Sequence, residues 1–132
     1  MTKDLNKAAM IGRLGTDPEM RHTPSGTPVT NFRLAVSRRA RAGEGEQPRE
    51  ETDWFTVVTW QRLAEIVGQH LRKGSRVYVE GRLQTRSWEG QDGQRRYATE
   101  IIASDLIMLG EAGGGGAARE EAPPPGDEDY PF

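Results

Sequence analysis

Alternation is what most limits the shapes open to this chain. Between Arg76 and Trp88, the residues Val77, Val79, Gly81 and Leu83 fall on one side, and Tyr78, Glu80, Arg82, Gln84, Arg86 and Trp88 fall on the other. A period of two with one apolar side is the pattern of a strand buried on one face. Thr30 to Val36 repeats it, with Phe32, Leu34 and Val36 opposed to Asn31, Arg33 and Ser37. Asp53 to Trp60 is rich in aromatic and β-branched residues, and Lys7 to Leu14 and Tyr97 to Leu109 also read as strands. That makes five strands.

One helical pattern interrupts them. From Gln61 to Lys73, Leu63, Ile66, Val67 and Leu71 form one apolar face; Arg72 and Lys73 suit the last turn of a helix, and Gly74 suits its stop. Arg41 to Glu50 and Glu89 to Gln94 are charged and carry glycine, so they read as hairpin loops, and Thr23 to Gly26 reads as a turn. An all-β chain of five strands, with one helix between strands 3 and 4 to plug a barrel end, has the layout of the OB-fold, a Greek-key barrel that binds oligonucleotides or oligosaccharides. The strand count alone fits other small barrels too.

The chain has 132 residues, enough for one ordinary domain and a tail. Its formal charge of -2 is a sum of unlike parts. Residues 1–110 carry 17 basic against 14 acidic groups, while residues 111–132 carry 1 against 6. The expected division is therefore a barrel over 1–110, a Gly/Pro linker over 111–126 and an acidic tail over 127–132. The linker offers no aromatic or β-branched side chain to offset its ordering entropy, so it is expected to be disordered. The tail, Asp127-Glu128-Asp129-Tyr130-Pro131-Phe132, ends on aromatics that a purely solubilising segment does not need. No stretch approaches the roughly 18 apolar residues of a membrane span. Cysteine is absent, which removes disulfides, thiolate catalysis and cysteine-based zinc sites. The N-terminal residues lack the apolar core of a secretory signal, so the expected location is cytoplasmic.

The aromatic residues carry the functional expectation. Trp54 and Trp60 share parity on one strand, about 20 Å apart at roughly 3.3 Å per residue. Tyr78 and Trp88 share parity on the next, interleaved with Arg82 and Arg86. Indoles offer flat surfaces to unstacked bases, and guanidinium groups offer fixed charge to phosphates. Such stacking is worth about 1–3 kcal/mol per base and tolerates any sequence. Trp88 ends a polar strand face and Trp60 precedes Arg62, which favours exposure of both. Val58 shares parity with Trp54, which favours burial there as much as exposure.

Catalytic groupings are scarce. His22 and His70 lack metal-ligand spacing, and no phosphate-cradling loop or nucleophile elbow occurs. No enzyme, metal or cofactor is expected. Three other readings stay open on the residues alone: a barrel for single-stranded RNA, an adaptor whose tail carries the main function, and a metal-dependent nuclease.

Four blocks resemble a known family: Gly12 to Arg21, Thr52 to Phe55, Leu71 to Gly81 and Gly93 to Tyr97, together with the acidic Pro-Phe ending. They are similar to the bacterial single-stranded DNA-binding proteins over residues 5–109 and again over the last six. That resemblance implies sequence-independent binding and protection of single-stranded DNA in replication, recombination and repair, by a homotetramer of nucleoid-associated chains. It implies base stacking on Trp54, Trp60 and Trp88. It matches DNA-contacting basic positions to Lys7, Arg62, Lys73, Arg86 and Arg96; Arg33 and Arg82 join the expected phosphate contacts on their strand faces. The tail, Asp127, Glu128, Asp129, Tyr130, Pro131 and Phe132, is then the docking segment for replication, recombination and repair proteins. Three features depart from the family pattern. Ser37-Arg38-Arg39-Ala40-Arg41 stands where many relatives carry another stacking tryptophan, Tyr130 stands where isoleucine is usual, and the linker is shorter.

Overall fold

The computed structural model describes residues 3–40, 43–45 and 47–110. The expected linker and tail, 111–126 and 127–132, lie outside the described residues. Six strands and one helix follow in chain order: β1 (Ala8–Leu14), β2 (Glu19–His22), β3 (Pro28–Ala40), β4 (Arg49–Trp60), α1 (Gln61–His70), β5 (Arg76–Glu89) and β6 (Arg95–Gly110). The sheet order is β1-β5-β6-β4-β3-β2. β1 also pairs with β3 through Arg13 opposite Ala35 and Leu14 opposite Leu34, which closes the barrel. β4 and β6 run parallel, and every other pair is antiparallel.

The five expected strands are all present, and a sixth, β2, lies along the edge of β3. Its four residues are all exposed, so it carries no alternation by which the sequence could announce it. With β2 counted, the helix falls between the fourth and fifth strands. The helix is also shorter than expected. It ends at His70, so Arg72 and Lys73 lie in the turn that leads into β5, and Gly74 adopts its φ of 93° there and not at the helix stop.

Inward-facing residues build the core. Leu34, Val57, Val77, Val79 and Ile101 are fully buried, with Leu14 and Phe32 beside them, and Val67 and Leu71 bring α1 against the same cluster. Two buried threonines fix the helix: Thr30 Oγ1 donates to the Ala64 carbonyl at 2.8 Å, and Thr59 Oγ1 donates to the Thr30 carbonyl at 2.8 Å. Paired in this way, their hydroxyls avoid the cost of an unmet buried polar group.

Gly81 is required by close approach. A Cβ there would run into the Ile102 carbonyl, at the register shift where β6 carries an extra residue against β5. Leu83 departs from its expected place in the core. It lies beyond that shift and beyond Gly81, where the pairing of β5 with β1 ends, and is 42% exposed. Strands β3 and β4 likewise run beyond the spans expected for them, β3 on to Ala40 and β4 from as early as Arg49. There Arg38 bonds both Asp53, at 3.1 Å, and Glu51, at 2.9 Å, and these charges hold its pKa above its ordinary value, with the Asp53 hydrogen bond the largest cause.

Candidate nucleic-acid interface

The outward faces of β3, β4, β6 and β5 form one continuous surface. Register places Asn31 opposite Val58, Arg33 opposite Thr56, Thr56 opposite Glu100, and Glu100 opposite Gln84. On it lies an open groove of about 480 Å³, lined by Val29, Asn31, Val58, Trp60, Arg82, Gln84, Arg86, Glu100 and Ile102. Val58 and Ile102 make its floor apolar; the rest can meet both a ring and a charged backbone.

The three tryptophans share this outward surface and differ in exposure. Trp60, last residue of β4, is 43% exposed. It opens onto the groove because the chain turns sharply into α1 at Gln61, whose φ of 58° lies in the left-handed region. Trp54 is half-buried, with its ring edge against Gly15 and the Arg33 guanidinium 5.4 Å from the ring centroid. Trp88 is half-buried on the β5–β6 hairpin, with Arg86 5.1 Å from its centroid. Arginine over an indole is a cation–π contact, worth about 0.5–1 kcal/mol at an exposed site.

The basic residues expected to meet phosphates divide by place. Arg82 and Arg86 line the groove with Trp60, and Arg62 is exposed in the first turn of α1, two residues from that ring. Arg33 lies over Trp54. Lys73 sits toward the Trp54 end: its backbone N–H donates to Asp17 at 2.8 Å, two residues from the Gly15 that touches the ring. The groove does not include Lys7 or Arg96. Lys7 pairs with Glu80 at 3.3 Å, farther along β5, and Arg96 bonds Asp92 at 3.0 Å across the hairpin turn.

Glu100 and Thr56, on this face, have no role in the sequence reading. Glu100 is 5% exposed, and its Oε2 accepts from Arg86 Nε and Nη2, each at 3.0 Å. Asn31 Oδ1, Trp54 Nε1 and Thr56 Oγ1 are buried without a hydrogen-bond partner among the described residues. Buried polar atoms are nearly always paired, so three orphans on one face mark a surface shaped for something it does not itself contain. Parity could have found Glu100, since it opposes the buried Ile101. Among the described residues no group of three or more His, Asp or Glu is placed to hold a metal ion, and no helix is long and apolar enough to cross a membrane.

Comparison with known proteins agrees with this geometry. A curated protein, Single-stranded DNA-binding protein 1 of Chlorobaculum tepidum, is 50% identical over 111 residues, which cover 83% of this chain and 68% of that one. A solved structure, the Plasmodium falciparum SSB complex with ssDNA, superposes with a TM-score of 0.75 at 37% identity, covering 83% of this chain and 99% of that one. The single-strand binding protein family matches residues 5–109, which is the whole barrel, and the chain belongs to that family.

Proposed function

We propose that the protein binds single-stranded DNA without sequence preference, coating it during replication, recombination and repair, and that it does so by binding energy alone. The observation that carries this reading is the surface spanning β3 to β6, where Trp54, Trp60 and Trp88 face outward beside arginines and orphaned polar atoms. Bases stack on the three indoles; the cations available to phosphates are Lys7, Arg33, Arg62, Lys73, Arg82, Arg86 and Arg96. A duplex hides its base faces, so such a surface discriminates against it. The acidic segment Asp127 to Phe132 recruits partner proteins, its charge and its aromatics suiting a basic, apolar pocket.

Self-association belongs to the same reading. On the outward side of β1, β5 and β6, Ile11, Tyr78 and Ile107 stand in register, with Ile11 46% and Ile107 50% exposed. A second copy of this chain is the occupant that suits this row, and through it several DNA faces join into one longer path.

The test is a tryptophan fluorescence titration with a thymidine oligomer, a matched RNA and a matched duplex over a range of salt. Quenching by the DNA single strand is expected, with log affinity falling by about 0.7 per phosphate neutralised for each decade of salt. Removing residues 127–132 is expected to leave the barrel's binding in place and to abolish capture of partner proteins. Equal or stronger binding of the duplex would refute the proposal, and preference for the RNA would move it to RNA.

A further inference from the structure

We propose that Arg86 is a stacking surface for a nucleobase, held in place by Glu100, and that it is not one of the cations that neutralise phosphates. The proposal rests on the single-strand reading above and reassigns one residue within it. Sequence parity groups Arg86 with Arg82 as equivalent guanidinium groups on one strand face; the geometry separates them.

Arg86 is committed. Its Nε and Nη2 both donate to Glu100 Oε2 at 3.0 Å, and that carboxylate is almost wholly enclosed, its side chain only 6% exposed. If Arg86 left for a phosphate, Glu100 would remain as a buried charge without its partner, beside an incoming polyanion. Breaking a pair in this way costs far more than an exposed phosphate contact returns. While the pair holds, its net charge is zero, so Arg86 displaces no counterion from the DNA. Arg82 is placed otherwise. It is exposed, and its Nη1 donates to the neutral Gln84 Oε1 at 2.6 Å, so its charge is not cancelled by that contact.

What Arg86 retains is a plane. Guanidinium is flat, delocalised and weakly hydrated, and stacks on aromatic rings in a way that ammonium cannot. Its side chain is 39% exposed, it lines the groove that holds Trp60, and it lies over Trp88. A base entering the groove can therefore continue the stack that Trp88 and Arg86 begin. The carboxylate on a DNA-facing surface is then explained: Glu100 is a positioning residue that fixes the orientation of the guanidinium.

The experiment is equilibrium binding of a thymidine oligomer of about 15 nucleotides, near the upper site size of one such barrel, by native protein and the variants Arg86→Lys, Arg82→Gln and Glu100→Gln, over a range of salt. Lysine keeps the charge and loses the plane. Arg86→Lys is expected to bind at least about fivefold more weakly at every salt concentration, the low end for losing one stacked base, with an unchanged salt slope. Arg82→Gln removes a charge that meets phosphate and is expected to make the salt slope shallower by about 0.7, a change that Arg86→Lys does not show. Glu100→Gln, nearly isosteric, frees the arginine charge and is expected to steepen the slope by about 0.7, one phosphate's worth. Circular dichroism melts confirm folding of each variant. Native-like binding by Arg86→Lys, or an unchanged slope in Glu100→Gln, overturns the proposal while leaving single-strand binding intact. Absence of native binding would overturn both.

Discussion

Trp54 shows how much a single position decides. Its indole is trapped between the Gly15 backbone and the Arg33 guanidinium, and a Cβ at residue 15 would collide with the six-membered ring. Gly15→Ala must therefore push the ring outward or shift β1, at about 1–3 kcal/mol, the usual cost of overpacking. For a body of this size that lowers the unfolding midpoint by several degrees. Weaker quenching of tryptophan fluorescence by single-stranded DNA is expected alongside it, because the displaced ring no longer lies flat on the sheet. A variant with native stability and native quenching would show that Gly15 does not seat the ring. The even parity of Trp54 and Trp60 was legible from the sequence, and so was their common surface. The degree of burial was not, because it depends on Gly15, 39 positions away along the chain. Trp88 is likewise less exposed than its polar strand face suggests, because Arg86, two residues earlier on that face, lies over the ring.

At the scale of elements, the strands were legible where they alternate, β5 as far as Trp88, whereas the extensions of β3 to Ala40 and of β4 back to Arg49 were not. Arg38 and Glu51 lie outside the alternating runs, yet with Asp53 they pair across β3 and β4 and lengthen the ladder. The β5–β6 hairpin closes in the same polar manner. Asp92 accepts from the Gln94 backbone N–H at 3.1 Å and from Arg96 Nη2 at 3.0 Å, and these contacts, the backbone one foremost, hold its pKa below the usual carboxylate value. A carboxyl with a lowered folded pKa contributes order that is present above its unfolded value, about 3.9, and is lost as pH falls through the lower folded one. Hydrogen exchange at Gly90 to Gln94 is thus expected to remain protected from pH 8 down to about 4 and to lose protection below that. Asp92→Ala should lose it already at neutral pH, after correction for the intrinsic pH dependence of exchange. The global unfolding midpoint should move by less than about 3 °C in that variant, because the turn is exposed and outside the core. A protected turn in Asp92→Ala would assign its order to the backbone bonds between Gly90 and Gln94 instead.

For the whole molecule, β5 links two surfaces of opposite character. Along its outward side the order is Tyr78, Glu80, Arg82, Gln84, Arg86 and Trp88, so an apolar end passes into a nucleic-acid face within one strand. Between them lies a charged belt: Glu80 accepts a hydrogen bond from the Tyr78 hydroxyl at 2.7 Å, pairs with Lys7 at 3.3 Å, and stands opposite Asp105. The Tyr78 hydrogen bond, followed by Lys7, keeps the Glu80 carboxyl below its ordinary pKa, so the belt stays charged at neutral pH. Under the proposed self-association, copies would meet through Ile11, Tyr78 and Ile107 and leave the tryptophan face uncovered. Ile107→Glu places a carboxylate at the β6 end of that row without touching the core, since residue 107 faces outward and is half exposed. Its buried counterpart across a copy-to-copy contact would be left without a cation, a severe penalty for association and almost none for folding. The expected mass by light scattering is several multiples of 14.7 kDa for the native chain and a smaller multiple for the variant. Fewer joined faces neutralise fewer phosphates per bound particle, so the salt slope on a long oligomer should become shallower, while a short oligomer that spans one barrel binds as before. A native mass of one chain, or an unchanged mass in Ile107→Glu, would mean that the apolar row meets something other than a second copy.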